Sequence, residues 1–230
     1  MKARRLILRI ALLALVTLIS AAVIVVGVFA LLGWNMHTEA VRERPVRQVY
    51  AEISADEHFV KFDDLPEFYV NAVISVEDRD FWGHSGIDPS AMVRALLHDI
   101  AAMEFAEGGS TITMQTAKNI YYTQEKRLER KTAEIFTAFE LEDKLTKQQI
   151  FEMYVNTIYF GSNYYGIYAA SMGYYGVAPS ELTDEQCAVL AGIPQAPSVY
   201  SPDVNPDLAQ QRAEQVLKAM EETGKLHQNQ

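Results

Sequence analysis

The chain has 230 residues, 49% of them hydrophobic, and a formal net charge of −10 at pH 7. This acidic balance argues against nucleic acid as a partner, because nucleic-acid-binding domains carry basic surfaces. The single cysteine, Cys187, has no partner for an intramolecular disulfide, and we expect it to pack as a small apolar residue in a helix. The five histidines are scattered, which argues against a zinc site.

The first predicted element is a transmembrane helix. Residues 10–32 contain no charged residue, and 23 helical positions can cross a hydrocarbon layer of about 30 Å. Residues 1–9 are basic, which predicts a cytoplasmic N-terminus and an extracytoplasmic domain. A cleaved signal peptide is the alternative. The apolar run exceeds the usual h-region of about 7 to 15 residues, however, and no clear cleavage site follows it.

The region after this run divides into a connection and a helical domain. Residues 33–62 are interpreted as a juxtamembrane connection, with a short strand predicted at 48–53. Helical spacing dominates from residue 63 to residue 230, which we interpret as one mainly α domain. Several helix starts are visible in it, at the capping boxes Thr146/Gln149 and Thr183/Gln186 and at Asn205-Pro206, whose helix should stop at Gly224.

The segment 77–88 combines acids, aromatics, glycines and a histidine. Apolar residues spaced as in a helix precede it from residue 65, and Asp88-Pro89 has the pattern of a helix start. The segment is therefore predicted to be a loop between two helices, with Glu77 at the end of the first. A carboxylate held there beside aromatic rings suits a general base with a raised pKa. The alternative is a solvated helix end.

A second segment opens with Gly108-Gly109 and continues with Ser110 and Thr111. The hydroxyls and free N–H groups of a helix N-terminus would suit an anionic group, and Lys118 would add a positive charge. The alternative is an ordinary glycine loop with a Ser or Thr cap. A basic run follows, which usually marks a solvated helix face: Lys126, Arg127, Arg130 and Lys131.

A third segment places a carboxylate among this basic run. Arg130 and Lys131 precede Glu134 by four and three residues, so all three share a helix face. A surface salt bridge would explain this spacing. Because Ile135 and Phe139 suggest a substantially buried helix, Glu134 is alternatively a second carboxylate facing a cleft.

These segments resemble the motifs of the peptidoglycan glycosyltransferases, glycosyltransferase family 51, which include the transglycosylase domain of bifunctional penicillin-binding proteins. The resemblance covers about residues 65–220. Five blocks match in order, at residues 77–88, 109–119, 130–134, 150–161 and 185–198. Two positions depart from the family pattern. Met114 stands where a glutamine is usual, and Lys126 or Arg127 stands where an arginine is often found.

The resemblance implies a lysozyme-like helical fold with one N-terminal anchor, and an enzyme that joins lipid-linked disaccharide-peptide (lipid II) to a nascent lipid-linked glycan chain. It implies that Glu77 is the general base acting on the 4-hydroxyl of the acceptor. Glu134 would be the second carboxylate, near the donor pyrophosphate. It also allows a divalent cation such as Mg²⁺, with Glu134 as candidate ligand, and no organic cofactor. The implied substrate-binding residues are Asp78, His84, Ser110, Thr111, Gln115, Lys118, Asn119, Lys126, Arg127, Arg130 and Lys131.

Other residues of the first segment receive supporting roles in this interpretation. We expect Asp78, Arg79 and His84 to position Glu77, the loop or the acceptor sugar. Phe81 and Trp82 are expected to lie on the cleft or on a membrane-side surface. Because the chain ends at Gln230, we expect a monofunctional enzyme without a transpeptidase domain.

The residue chemistry favours a polymerase over two alternatives. A lysozyme-like hydrolase or lytic transglycosylase must protonate a poor leaving group, whereas pyrophosphate leaves without an acid but needs nearby cations. The basic residues therefore favour the polymerase. The other alternative is a degenerate scaffold that binds precursor or recruits cell-wall synthesis or division proteins, and Met114 is the feature that hints at it.

Overall fold

The computed structural model describes residues 2–102, 108–123 and 127–226, and their architecture is mainly helical, as the sequence predicts. In this part of the chain the only extended pairing is an isolated antiparallel bridge between Tyr159 and Tyr165. The helices are α1 Lys2–Glu43, α2 Val46–Ser54, α3 Glu67–Glu77, α4 Pro89–Ala102, α5 Ile112–Tyr121, α6 Leu128–Lys144, α7 Lys147–Thr157, α8 Ile167–Tyr175, α9 Asp184–Gly192, α10 Pro197–Tyr200 and α11 Pro206–Glu222.

Helix α1 is 42 residues long and continues without a break past the predicted span. Its segment Arg9–Glu43 is the one helix among the described residues that is long and apolar enough to cross a membrane, although a signal sequence near an N-terminus has the same character. The side chains of its apolar run are mostly exposed. Residues 33–43, predicted to begin a connection, extend this helix into the domain.

The C-terminal third of α1 packs against α6. The rings of Trp34 and Phe136 meet edge to face at 5.2 Å between centroids, and the Thr132 hydroxyl donates a hydrogen bond to the Phe29 carbonyl at 2.8 Å. The helices approach closely at Gly33, where an added Cβ would clash with the Thr132 side chain. The apolar helix and the domain are therefore joined by a packed interface.

The strand predicted at residues 48–53 is wrong, because this segment forms α2. Val46 and Val49 are buried in the core, and a spacing of three residues puts them on one helical face. Tyr50 donates a hydrogen bond from its hydroxyl to Glu152 of α7 at 2.7 Å. The alternating pattern in six residues was too short to distinguish a strand from one side of a helix.

The body of the domain surrounds α3 and α5. Helix α3 packs against α9 and α11, whereas α5 packs against α6 and α7. Both predicted capping boxes are present. The side chains of Thr146 and Thr183 each accept a hydrogen bond from the backbone N–H of the residue three positions later. Cys187 is buried in α9, as predicted. The largest fully buried side chains include Tyr69, Phe81, Phe151 and Tyr154.

Candidate active site

Glu77 is the last residue of α3, where the sequence placed it. The helix stops because Asp78 leaves helical geometry, with φ −161° and ψ 81°. Glu77 is partly exposed, and its Oε2 accepts a hydrogen bond from the Gln115 amide of α5 at 2.7 Å. A rigid helix and a neighbouring side chain thus fix the carboxylate of a residue that is itself partly exposed.

The pKa of Glu77 is raised above its ordinary value of 4.5. Desolvation in the core is the main cause, and the negative charge of Asp78 acts in the same direction. The hydrogen bond from Gln115 and the positive charges of Arg212 and Lys118 oppose the rise. A carboxyl group with a raised pKa holds a proton more strongly when it accepts one, which suits a general base.

Asp78 and His84 form the buried support behind Glu77. The His84 Nε2 lies 2.9 and 3.0 Å from the two carboxylate oxygens of Asp78, and the Ile112 N–H donates to the same carboxylate at 2.9 Å. The Gly86 N–H donates to His84 Nδ1 at 3.1 Å, which assigns the ring proton to Nε2. The Asp78 side chain is only 2% exposed, so it fixes the loop to the start of α5.

A charged pair that the sequence analysis did not single out supports this loop. Lys147 Nζ lies 2.7 Å from a Glu142 oxygen and 4.5 Å from the centroid of the Phe81 ring. The Thr113 hydroxyl donates to the same Glu142 oxygen at 2.7 Å. Phe81 is fully buried, so its expected place on a surface is wrong, whereas Trp82 beside it is 48% exposed. Glu142 and Lys147 are five residues apart, but nothing local in the sequence connects them with Phe81 or Thr113.

Thr111 is the N-cap of α5. Its hydroxyl oxygen accepts from the Met114 N–H at 3.1 Å, and the hydroxyl donates to the Gly86 carbonyl at 2.6 Å. The side chain is buried and its hydrogen-bonding groups are used within the protein, which is the capping alternative that the sequence left open. Met114 is also fully buried. Its methionine side chain, in place of the glutamine usual in the family, therefore contributes to the packing of α5.

Glu134 lies on α6 among basic side chains. It forms an ion pair with Arg130, and its other oxygen lies 3.2 Å from Lys131 Nζ. Lys131 also donates to the Ser110 hydroxyl, which joins α6 to the start of α5. The Glu134 side chain is 1% exposed, whereas that of Lys131 is 43% exposed. Lys131 is thus accessible from solvent, whereas Glu134 is not.

Helix α5 and the residues just before it link Glu77 to Lys131, the neighbour of Glu134. Its start contacts Lys131 through Ser110, and its middle contacts Glu77 through Gln115. Lys118 and Asn119 follow Gln115 by three and four residues, so they share its helical face, and both are partly exposed. Of the predicted binding residues of the second motif, Gln115 and Lys118 are in this way brought near Glu77.

Arg212 of α11 was missed by the sequence analysis. It lies close enough to Glu77 to lower the pKa of that carboxyl, and its Nη1 donates to Gln215 at 2.9 Å. Its position on an ordinary amphipathic helix gave no signal in the sequence. Only the packing of α11 against α3 places its charge near the site.

A cavity of about 320 Å³ lies where α1 meets the end of α5 and the start of α6. Arg127 and Arg130 line it, together with Glu39 and Glu43 of α1. Glu77 does not border this cavity. Lys126, the remaining residue of the predicted basic set, lies outside the described residues.

The described residues contain no group of three histidine, cysteine or acidic side chains that could hold a metal ion. The candidate ligand Glu134 directs both oxygens at cationic side chains, so its donor set does not fit a protein-held Mg²⁺ site. A divalent cation bound to the substrate pyrophosphate therefore stays a prediction.

Most of the chain is similar to a known protein family. The family model described as transglycosylase matches residues 43–221. This chain belongs to the transglycosylase family. The domain is accordingly of the lysozyme-like helical class, with one candidate N-terminal apolar helix.

Several curated proteins are similar to this transglycosylase-family chain. Penicillin-binding protein 1A of Aquifex aeolicus is 44% identical over 178 residues, which cover 77% of this chain and 24% of that protein. Penicillin-binding protein 1A of Pseudomonas aeruginosa is 41% identical over 74% of this chain and 21% of its own. Penicillin-binding protein 1F of Bacillus subtilis is 44% identical over 72% and 23%. The chain thus matches less than a quarter of each relative's length.

Proposed function

We propose that this protein polymerises lipid II into peptidoglycan glycan strands, releasing polyprenyl pyrophosphate with inversion at the anomeric carbon. The observation that carries the proposal is Glu77: a partly exposed residue whose carboxyl has a raised pKa and is fixed at the end of α3 near cationic side chains. Membership in the transglycosylase family supports the same reaction class.

In the proposed reaction, Glu77 takes the proton of the 4-hydroxyl of the acceptor sugar. The acceptor oxygen attacks the anomeric carbon of the other substrate, and the bond from that carbon to the pyrophosphate oxygen breaks. Attack opposite the leaving group inverts the anomeric configuration. The proton ends on Glu77, and the electron pair leaves with the pyrophosphate. Gln115 holds the carboxylate during this transfer.

The leaving group needs positive charge where its own charge develops. Lys118 lies near Glu77, and Lys131 presents its amine at the surface while contacting Ser110 and Glu134. Glu134 orients Arg130 and Lys131 in this proposal. A hydrolase would need a carboxylic acid at this position to protonate a sugar oxygen. Both oxygens of the buried Glu134 are instead engaged by Arg130 and Lys131.

We further propose that α1 is a retained membrane anchor with a cytoplasmic N-terminus. The packing of Phe29, Gly33 and Trp34 on α6 supports retention, because cleavage within the apolar run would expose this interface. Lipid-linked substrates lie in the same bilayer, so anchoring raises the chance that the site meets them.

The test of the proposal is the variant Glu77→Gln, assayed as purified full-length protein with labelled lipid II. Removal of a general base typically costs about 10²- to 10⁴-fold in rate, so polymer should be lost within the normal assay time. The matched control is Glu67→Gln, which changes an exposed residue at the start of the same helix. Polymer formation at the normal rate by Glu77→Gln would contradict the assigned role.

The same assay separates the alternatives. Isolated glycan strands replace lipid II in a parallel reaction, and cleavage of these strands without polymerisation would indicate a lytic enzyme. Binding of lipid II with neither reaction would indicate a scaffold. The one hint of a scaffold, Met114, is a packing residue remote from the surface.

A further inference from the structure

A largely buried ammonium group lies where α6, α7 and the 77–88 loop meet. It belongs to Lys147, the first residue of α7, whose side chain is 19% exposed. An ammonium group has three N–H donors. The Lys147 Nζ lies 2.7 Å from Glu142 Oε1 and 3.5 Å from His84 Nδ1. It also lies 4.5 Å from the centroid of the Phe81 ring, within the range of a cation–π contact. Lys147 therefore directs its charge at the loop.

The Glu142 carboxylate fixes the position of this ammonium group. Its Oε1 also accepts a hydrogen bond from the Thr113 hydroxyl of α5 at 2.7 Å, and its side chain is 12% exposed. The loop passes close to α6 at Gly86, where an added Cβ would lie 3.1 Å from the Ala138 backbone. Contacts with α5, α6 and the loop therefore hold the Lys147 amine beside His84.

Two donors point at the same nitrogen of the His84 ring. The Gly86 N–H donates to Nδ1 at 3.1 Å, and the Lys147 amine approaches Nδ1 at 3.5 Å. A proton on Nδ1 would face both donors and would lie beside a positive charge. Both the other neutral tautomer and the imidazolium ion carry a proton on Nδ1. Lys147 thus disfavours every form of the ring except the neutral tautomer with its proton on Nε2.

The Nε2 proton is the one that reaches the carboxylate next to the general base. His84 Nε2 lies 2.9 Å from Asp78 Oδ2, which also accepts from the Ile112 N–H at 2.9 Å. Asp78 directly follows Glu77. Gln115, three residues after Ile112 on α5, donates to Glu77 at 2.7 Å. Both carboxylates therefore join the end of α3 to α5, and a change at Asp78 alters the frame that holds Glu77 against Gln115.

We propose that Lys147 is a positioning residue for the general base Glu77. It selects the Nε2-protonated tautomer of His84, and that tautomer holds Asp78 at the end of α3. This inference rests on the proposed function and deepens it by adding a residue that acts on Glu77 through two others.

The variant for the test removes two charges together. Lys147→Met alone leaves the Glu142 carboxylate largely buried without its cation, and breaking one side of such a pair strongly destabilises a protein. Combining it with Glu142→Gln removes both charges and keeps an oxygen that can accept from Thr113. This double variant lacks the ammonium group beside His84 without leaving an unpaired charge in its place.

The direct test is the tautomer of His84, measured by ¹⁵N NMR of histidine-labelled full-length protein in detergent micelles. The chain has five histidines, and the signals of His84 are those missing from His84→Gln. In the wild type we expect a proton on Nε2 and none on Nδ1. In the double variant both signals should shift toward those of exchanging tautomers or of the imidazolium ion. A proton on Nδ1 in the wild type would overturn the proposal, as would wild-type signals in the double variant.

Polymerisation of lipid II gives a second readout. A misplaced carboxylate slows the chemical step by up to about 10²-fold while leaving substrate binding largely intact. We expect the double variant to lose kcat by this order with little change in KM. Lys147→Arg keeps a cation with N–H donors and should retain most of the rate. A wild-type kcat in the double variant would contradict the positioning role.

The matched control is Lys144→Met. Lys144 is the last residue of α6, its side chain is 41% exposed, and it pairs with Asp143 and Glu140 of the same helix. The substitution removes the same charge at the surface, so kcat and the His84 signals should equal those of the wild type. Failure of the proposed function is recognised separately, by normal polymerisation in Glu77→Gln, because the tautomer of His84 is measured without any reaction.

Discussion

Glu77 has to meet two opposing conditions. Burial raises its pKa, which would strengthen it as a base, but the proposed reaction requires that the carboxyl be ionised before the substrate arrives. Gln115, Arg212 and Lys118 each favour the ionised form and limit the rise. The ionised Glu77 side chain therefore retains a cost in stability that the fold tolerates.

This cost predicts a stability change with a defined pH dependence. A carboxyl group whose pKa is raised on folding stabilises the folded state fully below the unfolded value, and that contribution is lost as pH rises through the folded value. Glu77→Gln should therefore match the wild type below about pH 4.5 and exceed its thermal midpoint at neutral pH. Thermal unfolding in detergent across this range measures the difference. A variant less stable than the wild type at neutral pH would contradict it.

At the residue scale, the sequence predicted where a residue lies in a helix or a loop better than it predicted whether the side chain is buried. The position of Glu77 at a helix end followed from the spacing of apolar residues before it. Phe81 was predicted to lie on the cleft or a membrane-side surface and Thr111 to bind substrate, but both are buried. Their burial depends on α7 and on the 77–88 loop folding over α5, which are contacts between segments distant in the chain.

At the element scale, α6 is held between two neighbours. One side packs on α1, and the other contacts α5 through Lys131 and Ser110. The cationic residues of α6 are therefore positioned by the same helix that continues into the apolar segment. A change in how α1 docks should be transmitted to Arg130 and Lys131.

The prediction at this scale is that Gly33→Ala impairs the enzyme. Its Cβ would clash with the Thr132 side chain and lie 2.8 Å from the Ala133 backbone nitrogen, so α1 has to move away from α6. Overpacking of this kind costs about 1–3 kcal/mol. We expect a lower thermal midpoint and slower polymerisation of lipid II.

Gly27→Ala is the matched control for this change. It makes the same substitution in the same helix, but nothing lies within 4 Å of the added Cβ. Its stability and activity should equal those of the wild type. Equal behaviour of the two variants would show that the close approach at Gly33 has no part in positioning α6.

At the scale of the whole molecule, the proposed topology can be measured with cysteine labelling. The single cysteine, Cys187, is buried, and burial raises the pKa of its thiol to about 12, so it should not react in the folded protein. An introduced cysteine is then the one reactive thiol. In spheroplasts, a membrane-impermeant maleimide should label Asp207→Cys on exposed α11 and leave Ala3→Cys unlabelled. Labelling of Ala3→Cys and not of Asp207→Cys would show that the orientation is the opposite of the proposed one.

The sequence by itself determined the mainly helical class, the apolar N-terminal helix, the capping boxes and the family, because all of these depend on local spacing and on ordered motifs. Tertiary structure alone decided that residues 46–54 form a helix against the core and that the charge of Arg212 lies near Glu77. Burial and electrostatic effects arise between segments that are distant in sequence. A shifted pKa therefore has no local signature, whereas a helix start does.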